Sequence, residues 1–470
     1  MRIRYAALTV TAILLAGCTV GPNYKRPQVS VPESFRAPEP LQENQAASLA
    51  DLKWFEVFRD EQLQQLIRGA LARNYDLRDA VARVEEARAN LGITRSNQLP
   101  QVSASGALQV TRLSRDGSFP LPETFVSNQN LNWGQAGLNL LSFELDIWGR
   151  LRRSTESARA TLLNAEENRK AVVSTLVSEV AADYFQLLEL DYEMEISDRT
   201  LETRRASLDL VREREDGGVA TLLDLRQAEQ LVDSAAESIP ALQQQIEQTE
   251  NQIALLLGRG PESIERGRGF LQQELPDVPA GLPSALLERR PDIRAAEQAL
   301  IATNANIGVA KAAYFPQITL SGVLGGQSAR LASLFSGPNS SWTFTPQITQ
   351  PIFAAGRIKN GVRLAEAQYD QTEVAYEKAI QTAFREVSDA LIAHQRTGES
   401  RRQQETLVAA LQDRKRLAYI RYEGGVDTQL NALDADRDLL TAELSLAQIR
   451  YAELLSVVQL YKALGGGWQS

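Results

Sequence analysis

The chain has 470 residues and carries 50 Lys and Arg against 59 Asp and Glu, a formal net charge of −9. That balance argues against nucleic-acid binding, which wants a basic face. One histidine and one cysteine leave almost no material for a metal site, a histidine-based catalytic centre or an internal disulfide, so neither a cofactor nor an enzyme is expected.

At the start, Arg2 and Arg4 precede an apolar run from Tyr5 to Ala16, followed by Gly17 and Cys18. A basic leader, a short apolar core and small residues at the cut predict a secretory signal over residues 1–17. The run is too short for a spanning helix, which needs about 20 apolar residues. Cys18 admits a buried thiol as one reading. Leu15-Ala16-Gly17-Cys18, however, resembles a bacterial lipoprotein box, with Cys18 acylated and Thr19 favouring the outer membrane. Removal of Arg2 and Arg4 with no acid takes the charge from −9 to −11. Beyond the signal no long uncharged apolar stretch follows, so any membrane-spanning part must be made of strands.

The remainder is written twice. Asp76-Leu77-Arg78 recurs as Asp292-Ile293-Arg294, and Pro100-Gln101 as Pro316-Gln317, 216 positions on. Gly149-Arg150 recurs as Gly356-Arg357, and Gly217-Gly218-Val219 as Gly424-Gly425-Val426, 207 positions on. This is far longer than a solenoid unit of roughly 20–50 residues, and reads as a duplicated half-domain. The first repeat is placed at 61–258 after an extended N-terminal segment at 18–60. The second is placed at 284–465 after a connector at 259–283, with a tail at 466–470.

Each copy carries a pair of strand signals, near 101–113 and 131–146 and near 317–329 and 341–353. Val102, Ala104, Gly106, Leu108 and Val110 alternate with Gln101, Ser103, Ser105 and Gln109. Ile318, Leu320, Gly322 and Leu324 do so with Gln317, Thr319 and Ser321, and Trp342, Phe344, Ile348 and Ile352 with Ser341, Thr343, Thr345, Gln347 and Thr349. In the remaining segment Leu141, Phe143 and Leu145 alternate with Ser142, Glu144 and Asp146. Period-2 segments this long, apolar on one side and small-polar on the other, point to an outer-membrane barrel. An ordinary soluble hairpin with one buried face is the alternative. Pro346 predicts a bulge or the end of its ladder. Four strands cannot close a barrel, since the smallest has eight and no open edge can face lipid. Spanning strands therefore predict an oligomer.

The rest is long helix. Helical hairpins are expected at 150–257 and 357–464, broken at Gly217-Gly218 and Gly424-Gly425, with Thr221 and Thr428 as caps of the return helices. Leu225, Val232, Ile239, Ile246 and Ile253 recur every seven residues, and Pro240 is expected to kink that helix. Two neighbouring stripes on the second return helix imply packing on both sides. His394 lies in a long helical pattern and reads as structural.

Several motifs together resemble the outer-membrane factor family, the TolC- and OprM-like channels of tripartite efflux systems. They are the lipoprotein box with Gly21-Pro22-Asn23-Tyr24, Arg290-Pro291-Asp292-Ile293-Arg294, Tyr314-Phe315-Pro316 and Gly465-Gly466-Gly467-Trp468. The resemblance covers essentially the whole chain. It implies an α+β membrane protein: a homotrimer whose chains give four strands each to a twelve-stranded β-barrel in the outer membrane, continued by an α-helical tunnel in the periplasm. It further implies a passive exit duct for drugs and other small molecules, docked to a periplasmic adaptor and an inner-membrane pump of the RND type.

The same resemblance places a constricting gate at the second turn, with Asp434 as an acidic ring, Leu430 as an apolar ring one turn nearer the tip, and Arg437 beside Asp434. Independently, Arg437 is the one charge in a position whose heptad relatives are Leu430, Leu444, Tyr451 and Val458. The plainer reading makes Asp434, Asp436 and Asp438 a solvated helix face near a helix N-terminus. The first copy has Gln227 at the matching position, and Asp427 stands where the family carries an arginine. Two rivals to a channel are an adaptor lipoprotein, which carries one helical hairpin rather than two, and a soluble coiled-coil scaffold, which would leave the alternating segments unexplained.

Overall fold

A computed structural model describes residues 19–32, 34–37, 48–112, 130–274, 276 and 285–469; Cys18, residue 113 of the first predicted strand and most of the connector beyond residue 274 lie outside these. The main elements are α1 (Glu61–Arg73), α2 (Tyr75–Ser96), β1 (Val102–Arg112), β2 (Asn130–Glu144), α3 (Arg150–Asp216), α4 (Leu222–Leu256), α5 (Pro291–Ala312), β3 (Gln317–Ser328), β4 (Ser340–Thr349), α6 (Arg357–Glu423) and α7 (Gln429–Ala463). The chain divides into two compact units.

The first unit gathers residues 84–164 and 296–376 with the segment up to Gln28. Its sheet runs in the order β1-β2-β3-β4, each neighbour antiparallel. The register puts Val102, Ala104, Leu108 and Val110 on one face with Leu138, Leu140, Leu320, Leu324, Trp342, Phe344 and Ile348. These residues are not buried: Val110 is 71% exposed, Trp342 76% and Ile348 70%. The opposite face carries Ser103, Ser105, Gln109, Gln135, Asn139, Thr319, Ser321, Thr343, Thr345 and Gln347. On that face Gly137 pairs with Gly325, and a side chain at Gly325 would stand 2.2 Å from the carbonyl oxygen of Ala136.

Two expectations about the strands are corrected. Among the described residues the one register shift lies between Leu140 and Phe143 on β2, so Leu141 falls at a bulge and the apolar face passes from Leu140 to Phe143. Pro346 pairs with Leu320 in unbroken register. Since β4 is an outer strand, its missing N–H falls on the unpaired side and removes no bond to β3.

An extended strap, Thr19 to Arg26, lies along α3 and α5. Val20 N–H donates to Trp148 O at 2.9 Å, Arg153 to Asn23 Oδ1 at 2.7 Å, and Asn304 to Pro22 O at 3.1 Å. Tyr24 and Arg26 both donate to Glu297, at 3.0 and 2.7 Å. A Cβ on Gly21, which has φ +100°, would meet Gly308 Cα at 2.4 Å. The Gly-Pro-Asn-Tyr motif is thus a docking sequence.

The second unit, residues 29–83, 165–295 and 377–470, is helical. Its core includes Leu63, Ile67, Val177, Val180, Tyr184, Leu187, Ile196, Ile253 and Tyr461, all at most 1% exposed. Asp60 caps α1 through Gln62 N–H, and also accepts from Tyr184 Oη, Arg268 N–H and Gln273. Arg290 bridges Asp292 and Glu386 at 2.6 and 2.7 Å and donates to Ala463 O, which accounts for the Arg-Pro-Asp motif. Ser174 Oγ donates to Gly466 O at 2.6 Å, and Lys170 sits 5.1 Å above the Trp468 ring, anchoring the glycine-rich tail on α3.

Within each hairpin, Leu208 and Val211 pack on Leu225 and Ala228, and Leu411 and Val408 on Leu439 and Ala442. Both stripes of α7 contribute buried residues, Leu433, Ala447, Leu454 and Tyr461 on one and Ala435, Leu439, Ala442 and Leu460 on the other. Helix α4 continues through Pro240. One expectation needs qualifying: α3 contains an 18-residue window with mean hydropathy 1.2, long and apolar enough to cross a membrane. Residues such as Val177, Val180 and Leu187 on α3 are fully buried, as in a core helix.

Candidate gate at the turns of the helical hairpins

Both hairpins turn on their predicted glycine pairs. After Gly217 and Gly424, Gly218 takes φ +74° and Gly425 φ +71°, left-handed backbone that only glycine adopts cheaply. Val219 N–H then closes on Arg214 O at 2.8 Å, and Val426 N–H on Arg421 O at 3.0 Å, a Schellman-type stop. Thr221 caps α4 in a capping box with Asp224. Thr428 holds the equivalent position but makes no side-chain cap.

Asp427 takes over at the second turn. Its carboxylate accepts from Asn431 at 2.6 Å, from Arg421 at 3.0 Å and from Thr428 N–H at 2.8 Å. These bonds, Asn431 foremost and Arg421 next, hold the carboxyl below the usual aspartate range. The residue that departs from the family pattern is bound within its own turn.

Leu430, Asp434 and Arg437 fall on one strip of α7 by their spacing of four and three. Leu430 is 53% exposed. Arg437 stands 3.3 Å from Asp434 and 3.6 Å from Asp438, with both members of the Asp434 pair open to solvent. Asp438 also receives Arg414 at 2.6 Å, and that bond foremost holds its carboxyl below the usual aspartate range. Gln227, the first-copy counterpart of Asp434, is half-buried.

Asp436 is different, and the solvated-face reading fails for it. Its side chain is 1% exposed. Oδ2 accepts from Arg204 Nε of α3 at 2.9 Å, and Oδ1 meets Lys415 Nζ of α6 at 2.5 Å. Arg204 also donates to Leu231 O of α4 at 3.1 Å. One buried carboxylate on α7 thereby ties together all four long helices. The signal was present in the sequence: Asp436 is four residues after Ala432 and three before Leu439, on the stripe that packs inward. Nearer the turns, Arg214 lies 4.6 Å over the Tyr422 ring and Gln429 donates to Asp224 O.

Farther along α3 lies a run of acids, of which Glu189 and Glu193 are buried. Burial, then a hydrogen bond with Glu193, pushes Glu189 up to about 8, and burial with Glu179 nearby pushes Asp183 up to about 6. His394 pairs with Ser456 at 3.1 Å, and burial lowers its basicity despite Glu453. Among the described residues no group of three or more His, Cys, Asp and Glu side chains could hold a metal ion.

The model of the outer membrane efflux protein family matches residues 66–259 and 282–466. TtgC of Pseudomonas putida, described as a probable efflux pump outer membrane protein, is 39% identical over 465 residues, 98% of this chain and 95% of TtgC. CusC of Escherichia coli, a cation efflux system protein, is 36% identical over 97% of each chain. Among solved structures, the Neisseria gonorrhoeae MtrE outer membrane channel in its open state superposes with a TM-score of 0.85. It is 35% identical, over 96% of this chain and 99% of that one. The outer-membrane channel OprN superposes at 0.86 with 32% identity, over 96% of this chain and all of that one. The chain belongs to the outer membrane efflux protein family, and its fold is that of an outer-membrane channel.

Proposed function

We propose that three copies pool their sheets into one twelve-stranded barrel, forming a passive outer-membrane duct that exports small molecules. A single observation carries this reading: a four-stranded sheet with an exposed apolar face and both outer strands, β1 and β4, unpaired among the described residues. An exposed apolar sheet suits lipid, and an unpaired edge does not. With strands alternating in direction, β4 of one copy can meet β1 of the next antiparallel and close the ring. The polar face then lines the bore.

The long helices continue the bore into the periplasm. At their turns Asp434 and Leu430 of three copies form the narrow point, with Arg437 tempering each carboxylate. Three acids at close range repel one another and draw cations, which leaves the closure bistable. Opening comes from a periplasmic adaptor docking at the Gly217-Gly218 and Gly424-Gly425 turns, and the driving energy from an inner-membrane pump. Acylated Cys18 holds the chain to the membrane, its neighbour Thr19 seated against Gly149 by the strap.

Deleting the gene and measuring drug accumulation tests this: accumulation rises, and the intact chain restores export. Normal accumulation in the deletion strain contradicts it. Mass spectrometry of the mature N-terminus reads the lipid on Cys18 directly.

A further inference from the structure

The duplicated Gly-Arg pairs converge. Arg150 and Arg357 line one cleft of about 360 Å³ at the ends of β2, β3 and β4, together with Trp148, Phe315, Gln317 and Thr349. Trp148 and Phe315 stack with ring centres 4.7 Å apart, forming a flat aromatic wall. Gln317 and Thr349 pair across β3 and β4 on the polar face, so the cleft opens on that side of the sheet.

The two arginines are equivalent in sequence but not in charge balance. Arg150 is held by Glu144 through two bonds of 2.8 and 2.6 Å. Glu144 also accepts from Gln317 at 2.6 Å. Asp146 caps α3 through Leu151 N–H and Arg152 N–H at 3.0 and 2.9 Å. In the second copy, 207 positions on, Pro351 stands for Glu144 and Phe353 for Asp146. Arg357 accordingly has no ion pair among the described residues, and α6 has no acid in its first turn. The second copy keeps the cation without its counter-charge, and the positive end of α6 adds to the same sign.

We propose that this cleft is a resting site for organic anions in transit. A carboxylate, sulfonate or phosphate group is taken by the Arg357 guanidinium, whose planar fork suits such oxyanions, and a flat apolar body lies against Trp148 and Phe315. The inference rests on the duct reading, in which the polar face lines the bore. Three such clefts place a ring of uncompensated positive charge in a chain of net charge −9, selecting for anions at the foot of the barrel.

Ion current through the purified full-length oligomer in planar bilayers tests it, with naphthalene-1-sulfonate as probe and 1-naphthylmethylammonium as control. The sulfonate blocks the wild-type current and the ammonium does not. Arg357→Ala weakens the sulfonate block about tenfold, the loss of one charge-assisted bidentate contact. Thr349→Glu, which supplies an acid on the cleft wall while leaving Arg357 in place, does the same and guards against misfolding of the first variant. Equal block of wild type and both variants, or equal block by the two probes, overturns the cleft. A protein that forms no pore at all overturns the duct reading itself.

Discussion

Arg204 Nε on α3 stands 2.9 Å from Asp436 Oδ2 on α7, with both side chains almost wholly out of water, 6% and 1% exposed. A buried ion pair contributes little net stability against well-packed apolar groups, but removing one partner strands the other. Asp436→Ala would leave Arg204 buried with only Leu231 O, and should cost about 3–5 kcal/mol. The double variant Arg204→Met/Asp436→Leu should recover most of that, since Lys415, 24% exposed, can extend its amine to water. Chemical unfolding of the wild type and these two variants measures both. A double variant as unstable as Asp436→Ala would show that geometry, not charge, is what the pair supplies.

The gate reading makes a separate prediction. Asp434→Ala/Arg437→Ala removes the acid and its 3.3 Å partner and should raise single-channel conductance. Arg421→Ala, which disturbs only the Asp427 turn, should change it less. Unchanged conductance in the double variant removes these residues from the gate.

The two faces of the sheet should tolerate charge very differently. Phe344→Lys puts an amine on the apolar face at 55% exposure and should hinder membrane insertion by about 2–4 kcal/mol, as for a lysine at the middle of the bilayer. Thr343→Lys, one residue away on the opposite face, should insert normally. Outer-membrane fractionation of both variants decides it, and equal insertion would contradict the assignment of lipid and bore sides.

Glu189 gives a pH prediction. Its pKa is raised to about 8 by burial, and next by its bond with Glu193, so the folded state binds a proton that the unfolded state has released above roughly pH 4.3. Stability from this site is complete below that value and is lost as pH rises toward 8. Glu189→Gln should therefore raise the Tm at pH 8 and leave it nearly unchanged at pH 4. A larger gain at pH 4 would reverse the assignment.

Much of this was legible in the residues. Alternation in β1, β3 and β4 fixed which face each side chain takes, because period 2 leaves only two choices. The bulge after Leu140 was not, since Leu140, Leu141 and Phe143 fit either register and only the pairing with Gly322 and Leu320 decides between them. Pro346 misled because its missing N–H faces away from β3, so the pairing with Leu320 loses no bond. Asp436 was grouped with Asp434 and Asp438 because all three share a charge pattern; position relative to Ala432 and Leu439 distinguishes it, and its partners Arg204 and Lys415 lie too far away in sequence to be seen.

The pooled barrel is tested most directly by weighing the particle. Native mass spectrometry of the protein extracted from outer membranes in mild detergent should give three chains per particle. A particle of one chain, with the exposed faces of β1 to β4 covered by detergent alone, would contradict the account.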